Sequence, residues 1–331
     1  MDREEKFLDL LVDNEAAGQR IDLWLAKIYP SFSRSKIQKS IKLGKIVVNG
    51  TPCKPNTLVG AGDHVLGNLE SERRALCPKH LDLNIIYEDQ DLIVLNKPPG
   101  ISVHPGAGTQ ETTLVEGLLA YCGRLSEAYS SWERPGIVHR LDKGTSGLMV
   151  CAKSDVAFSG LAKQFAMKTN TREYRAILDG LLPDPEVLID SYLYRDPKNR
   201  LRFTSIDRSA KKPGGKYAKS YFVSEACYAH RLCLVRVKLF TGRTHQIRVH
   251  ACHLNAPVLG DPLYNRKTIL PVTFSGAVRE LVESLSRQML HAFKLGFTHP
   301  QTGEYMEFTA DFPEDFSRIL GSLRPYKVEP S

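Results

Sequence analysis

Three short segments carry side chains that could do chemistry together. The first is His139-Arg140-Leu141-Asp142-Lys143-Gly144-Thr145-Ser146-Gly147-Leu148. It joins two apolar stretches and crowds charged and turn-forming residues into the connection. Asp142 and Arg140 are therefore expected in a loop at a sheet end, a common place for functional groups. Taken alone, an Asp in a Gly/Thr/Ser-rich turn more often caps backbone N–H groups. The second segment is Arg172-Glu173-Tyr174-Arg175-Ala176. Strand alternation would put Tyr174, Ala176 and Leu178 on one face. An apolar ring with a polar tip suits stacking on a base while the hydroxyl reaches a reacting atom. The third is Thr241-Gly242-Arg243-Thr244-His245-Gln246-Ile247-Arg248-Val249-His250. Thr244 can cap a helix there, with Ile247, Ala251 and Leu254 on its buried face. Arg243 lies just before that helix, from where it could reach across to a carboxylate. Such a pair holds the acid ionised and fixes its orientation.

Other chemistries find less support. A serine hydrolase would use Ser146 with His245, but Gly144-Thr145-Ser146-Gly147 is not the G-x-S-x-G elbow. His245, His250 and His253 cluster around Cys252 without a His-Glu-x-x-His pattern, so no metal is expected. No Walker-type loop and no dinucleotide fingerprint is present, so no nucleotide cofactor is expected.

The elements that must position these residues read as follows. Ile85-Ile86-Tyr87 and Leu92-Ile93-Val94-Leu95 flank Glu88–Asp91 and suggest a hairpin. Lys97-Pro98-Pro99-Gly100 is a rigid turn. Further strands are expected at Gly136–His139, Leu148–Lys153, Arg172–Leu178, Ala218–Val223 and Leu232–Leu239. Helices are expected near Thr113–Tyr121, Val156–Met167, Thr244–Leu254 and Ala277–Gln288. Many strands with interspersed helices indicate an α+β fold, with a mainly antiparallel mixed sheet and flanking helices.

The chain has 331 residues, enough for one large or two unequal domains. Hydrophobic residues make up 42% and charged residues 25%, which allows a buried core and excludes a wholly disordered chain or a collagen-like fibre. The seven cysteines are scattered and never spaced C-x-x-C, which fits reduced thiols in a cytoplasmic protein. No signal peptide and no apolar run of roughly 18 residues is visible, so no membrane span is expected. The net charge of +8 is uneven. Leu23–Gly62 carries Lys27, Arg34, Lys36, Lys39, Lys42, Lys45 and Lys54 with no Asp or Glu. Ile21, Trp24, Leu25 and Ile28 recur at helical spacing. Ser33 can cap a second helix from about Arg34 to Leu43, stopped by Gly44, with Ile37 and Ile41 inward and Lys36, Lys39 and Lys42 off that face. Ile46-Val47-Val48 then reads as a strand before an Asn49-Gly50 turn. This unit is expected over residues 1–70. Asn68–His80, with Arg73-Arg74, reads as a linker, and a second domain follows over 81–331.

Gly18–Asp63, through Ser33-Arg34-Ser35, Ile46–Gly50 and Gly62-Asp63, resembles the alpha-L RNA-binding domain. The resemblance implies that Arg34, Lys36, Lys39 and Lys42 face RNA phosphates, which positions a protein without reading sequence. The three segments together resemble the RluA family of pseudouridine synthases, particularly those of the large ribosomal subunit. Asn96–Gly100, Gly260-Asp261-Pro262-Leu263-Tyr264, Leu290-His291-Ala292 and His299–Glu304 extend the match, and Tyr264–Gln288 fits it least. The resemblance implies isomerisation of uridine to pseudouridine in RNA, without a cofactor. It implies an ionised Asp142 that either attacks the substrate or promotes a glycal intermediate. Arg243 would pair with Asp142, and Tyr174 would stack on the uracil and take the C5 proton. Arg140 would fill the vacated space or hold the flipped nucleotide's phosphate, with Ile247 and Leu290 as apolar walls and His139 as support. The implied partner is large-subunit ribosomal RNA or a pre-ribosomal particle, and the implied state is a monomer. The basic unit alone would also serve a non-catalytic RNA-binding or ribosome-assembly factor.

Overall fold

A computed structural model describes residues 3–29, 32, 34–72, 76–106, 111–126, 134–210, 214–265 and 267–328. The expected Ser33 cap and the Arg73-Arg74 pair lie outside them. The chain divides into two units, Met1–Cys77 and Pro78–Ser331.

The first unit holds β1 (Arg3–Leu11), helices α1 (Ile21–Ile28) and α2 (Arg34–Lys42), β2 (Ile46–Val48), β3 (Thr51–Pro52) and β4 (His64–Glu72). The strands form one sheet in the order β1-β4-β2-β3. Asn49 and Gly50 both take positive φ, 51° and 76°, as the two-residue hairpin turn between β2 and β3 requires. Trp24, Leu25, Ile37 and Ile41 pack with Leu8, Ile46, Val65 and Leu69 into one core. Lys39 and Lys42 point to solvent from the other side of α2. Two expectations change here. Ile28 is 40% exposed and leaves the apolar stripe. β4 runs on through Asn68 to Glu72, into the segment read as linker, because β1 pairs with it along its whole length. β1 itself hides in a charged stretch. Leu8 alternates with exposed Phe7, which is the mark of a half-buried strand.

The second unit runs β5 (Ile85–Glu88), β6 (Leu92–Lys97), α3 (Leu114–Cys122), β7 (Ser146–Ala152), α4 (Asp155–Met167), β8 (Thr171–Asp179), β9 (Glu186–Arg195), β10 (Phe203–Asp207), β11 (Lys216–Tyr228), β12 (Leu232–Leu239), α5 (Gln246–His253), α6 (Gly276–Glu283), β13 (Leu290–Thr298), β14 (Tyr305–Thr309), α7 (Glu314–Leu323) and β15 (Lys327–Val328). Its sheet has the order β10-β9-β11-β12-β8-β13-β7-β6-β5, with β14 on β13 and β15 on β11. Among the described residues every pairing in it is antiparallel except β13 with β7. This is the α+β, mainly antiparallel mixed sheet expected. β5 and β6 form the expected hairpin. Gly136–His139 does not form the expected strand. Only Ile137 makes a single bridge, to Cys151, and the rest of the stretch is spent bringing His139 under β7. β9, β10, β13, β14 and α7 add to the expected elements.

α6 and α7 cover one face through Val278, Val282, Phe316, Ile319 and Leu323. α4 packs Ala157, Phe158 and Leu161 against Leu92, Val94, Leu148 and Val150. The junction of β7 with β13 is the tightest point. Gly147 sits at φ 116°, and a Cβ there would lie 2.3 Å from the Ala292 carbonyl oxygen. Gly147→Ala should therefore force β7 and β13 apart, at a cost of at least about 3 kcal/mol. Urea unfolding would show it as a lowered midpoint. A variant as stable as the parent would mean this junction is not closed to a side chain.

Candidate active site

The loop before β7, the middle of β8 and the first turn of α5 meet around one cavity of about 540 Å³. Asp142, Tyr174, Arg140, His139, Ile247 and Leu290 all line it. Tyr174 comes from the buried face of β8, as alternation predicts. Leu290, the first residue of β13, and Ile247, in α5, are both nearly fully buried.

Arg248 holds Asp142, and Arg243 does not. Arg248 Nη1 donates to Asp142 Oδ2 at 2.9 Å. The opposite edge of the same guanidinium is bidentate on Asp261, Nε to Oδ2 at 2.6 Å and Nη2 to Oδ1 at 2.8 Å. Asp261 is fully buried, and its Oδ1 also accepts the backbone N–H groups of Leu263 and Tyr264. Arg243 is exposed and donates from Nε to the Tyr217 carbonyl at 2.9 Å. The reason lies in where α5 begins. Thr244 does not cap it. His245 takes the position before the helix at φ 57°, and Gln246 is the first helical residue. The Gln246 amide ties the approach down, with Oε1 accepting from the Arg243 N–H and the Thr241 hydroxyl. The first turn is thus turned inward as a whole, and Arg248 is its buried cation. Its position inside a run of Ile247, Val249 and Ala251 was the sequence signal for this.

The charges are well defined. Burial alone would lower the Arg248 pKa, but the Asp261 hydrogen bonds and the Asp142 charge raise it above its ordinary value. Burial raises the Tyr174 phenol, with the Arg172 charge opposing. Burial pushes His139 down to about 3. Its Nε2 accepts the Val150 N–H at 3.1 Å, and its ring stacks on Phe165 at 4.4 Å between centroids. His139 is thus a neutral support under the loop. Arg140 is exposed at the mouth.

The remaining histidines separate. His250 is held between Ser191 and Ser220 hydroxyls at 3.0 and 2.9 Å. His253 pairs with Asp207, and His245 bonds the Tyr264 hydroxyl at 3.0 Å. Ser146 is buried against His291 Nδ1 at 2.9 Å rather than near His245, which removes the serine-hydrolase arrangement.

In the first unit Arg34 shares its guanidinium with a carboxylate. Arg34 and Arg20 both pair with the buried Asp22 carboxylate, which Gln38 also reaches. Lys36 is half-buried, and Lys39 and Lys42 stand exposed.

Comparison with known proteins gives the family. Residues 91–253 match the family model described as RNA pseudouridylate synthase, and residues 19–65 match the S4 domain. An uncharacterized RNA pseudouridine synthase of Bacillus subtilis (strain 168) is 42% identical over 96% of this chain and 98% of its own. A ribosomal large subunit pseudouridine synthase D of Neisseria meningitidis is 42% identical over 97% of this chain and 83% of its own. The solved structure of human RNA pseudouridylate synthase domain containing 4 aligns with TM-score 0.56 at 23% identity, over 75% of this chain and 95% of that one, which is a likeness of fold.

Arg248→Met would leave Asp261 charged, buried and unpaired, so it should cost about 3–5 kcal/mol in denaturant unfolding. A smaller loss would show that water reaches Asp261. Stability should also fall with acid. His250 and His291 are fully buried, and burial lowers them to about 3 and about 4. The native state keeps both neutral, whereas the unfolded chain protonates them below about pH 6.5. The unfolded state then binds more protons, so the contribution of these two histidines is complete above about pH 6.5 and drops by up to about 3 kcal/mol per pH unit below it. Urea midpoints at about pH 7 and about pH 5 test this, and equal midpoints would refute it.

Proposed function

The chain belongs to the RluA family of RNA pseudouridine synthases, and from that membership we propose that it isomerises uridines of large-subunit ribosomal RNA at the Asp142 cavity. One observation carries the assignment. Asp142 is an aspartate held by Arg248, which is itself fixed by Asp261, and it shares a cavity with Tyr174.

The reaction breaks the N1–C1′ bond, turns the uracil and joins C5 to C1′. The C5 proton leaves and N1 gains one, so nothing is added or lost overall. That balance needs no redox cofactor. Asp142 is the group that acts on the ribose, as nucleophile or as base toward a glycal. Arg248 Nη1 donates to its carboxylate from 2.9 Å and fixes its direction. Tyr174 stacks on the uracil and takes the C5 proton as its own hydroxyl proton passes to the N1 side of the detached ring, so the phenol ends as it began. The target nucleotide must leave its stack, at roughly a few kcal/mol. Arg140 at the mouth fills the gap or holds the phosphate, while Ile247 and Leu290 wall the base. Arg243, exposed beside the cavity, takes a role on the RNA rather than on Asp142.

Lys39 and Lys42 supply exposed charge on α2 of the small unit, with Lys36 beside them. The cations there grip phosphates without reading sequence. The relatives named for the large ribosomal subunit support that RNA, or a pre-ribosomal particle containing it, as the partner.

Asp142→Asn should abolish pseudouridine formation in ribosomal RNA, mapped chemically, while RNA binding stays near the parent's. An active variant would refute the assignment, and no pseudouridine lost on deleting the protein would favour an RNA-binding or assembly factor. Replacing Lys39 and Lys42 together by Ala should reduce the slope of log affinity against log salt by about 2, with turnover on a minimal substrate less affected. Equal losses in both would argue against that division of labour.

A further inference from the structure

Among the described residues Arg172 is a buried cation with no anion to neutralise it. It is 8% exposed and stands two residues before Tyr174 on β8, so alternation puts both side chains on the same face. Both line the Asp142 cavity. The Arg172 guanidinium lies over the Phe165 ring at 5.5 Å, on which His139 is also stacked. Its Nε is buried with no hydrogen-bond partner, and among the described residues no carboxylate pairs with it. Burial lowers its pKa, with only the Tyr174 phenol opposing. Gly242 leaves it room, since a Cβ there would sit 2.8 Å from Nη1.

An arrangement of this kind is costly to fold. Taking a guanidinium out of water without an anion costs several kcal/mol, and a fold keeps one where a ligand supplies the missing charge. Two parts of an RNA could do so. A phosphodiester continues into chain on both sides, so it sits at a mouth, where Arg140 is exposed. A base is joined to the chain at one atom only and can be buried to its far edge. Arg172, beside Tyr174 in the buried wall, is placed for the base.

The chemistry agrees. When N1–C1′ breaks, the electron pair stays with N1 and the negative charge spreads over N1, O2 and O4 of the ring. The charge disappears again when C5 bonds to C1′ and N1 takes a proton. Building on the assignment of uridine isomerisation to this cavity, we propose that Arg172 is a catalytic residue whose guanidinium stabilises the negative charge that gathers on the uracil as it detaches. A fixed donor aimed at developing charge in a site shielded from water acts on the transition state more than on the ground state.

The test uses an in vitro transcript of 23S ribosomal RNA carrying uridine labelled with tritium at C5. Forming the C5–C1′ bond releases the tritium. Single-turnover release, filter-binding affinity and thermal melting are compared for the parent, Arg172→Met and Arg172→Lys. Release by Arg172→Met should fall about 100-fold or more, as when one oxyanion donor is removed. Its affinity for the transcript should stay near the parent's. Its melting temperature should be unchanged or higher, because an unpaired buried charge is gone. Arg172→Lys should keep part of the rate. An unchanged rate in Arg172→Met would overturn the proposal. So would an affinity that falls with the rate, which would mean a phosphate grip, or a melting temperature that falls with it, which would mean a structural role. No release by the parent enzyme would instead count against isomerisation of this RNA, and is thereby told apart.

Discussion

The guanidinium of Arg248 stands between two carboxylates. Asp261 takes one edge in a bidentate grip, and only Nη1 is left to face Asp142. Asp261 is in turn fixed by two backbone N–H groups of the turn that carries it. The direction of Asp142 is thus set by a chain of charge-assisted hydrogen bonds that begins in the buried core. Such bonds are short and directional, and in a shielded site they are stronger than in water. A free surface aspartate would sample several rotamers, whereas this one has its orientation chosen by partners far along the chain.

Around that axis the site separates polar groups that stay neutral from groups that are charged. Burial keeps the imidazoles of His139, His250 and His291 neutral well below pH 6.5. Each accepts or shares hydrogen bonds with a backbone or hydroxyl group, and so fixes geometry without adding to the field. Much of the positive charge near the cavity comes from arginines, which do not titrate in the physiological range, while burial brings the Lys97 amine down to about 7.

How much was legible in the sequence depended on whether a signal was local. The Asn49-Gly50 turn, the inward Ile37 and Ile41 and the β5–β6 hairpin all follow from residues within a few positions of one another. The α+β class and the gathering of Asp142, Tyr174, Ile247 and Leu290 were readable too. The partner of Asp142 was not, because it turns on the left-handed His245, which delays the start of α5 and brings Arg248 inward in place of Arg243. Its one trace in the residue types is Arg248 set among Ile247, Val249 and Ala251. Arg172 was equally hidden. A strand arginine is ordinarily paired or exposed, and only its neighbours in space show it to be neither. Gly136–His139 has strand composition but makes one bridge, since the Val150 N–H that would continue the ladder is taken by the His139 imidazole.

The strand order also fixes when the site can come into being. β5, β6 and β7 form one side of the large sheet, and β8, β12, β11, β9 and β10 the other. β13 is the strand that lies between β7 and β8, and it is among the last to be synthesised. Asp142 enters β7 and Tyr174 lies in β8, so the two belong to different sides until β13 arrives. A nascent chain can have both groups and much of both half-sheets without having a site. The gathering of these residues is in this way withheld by topology alone from a chain that lacks β13.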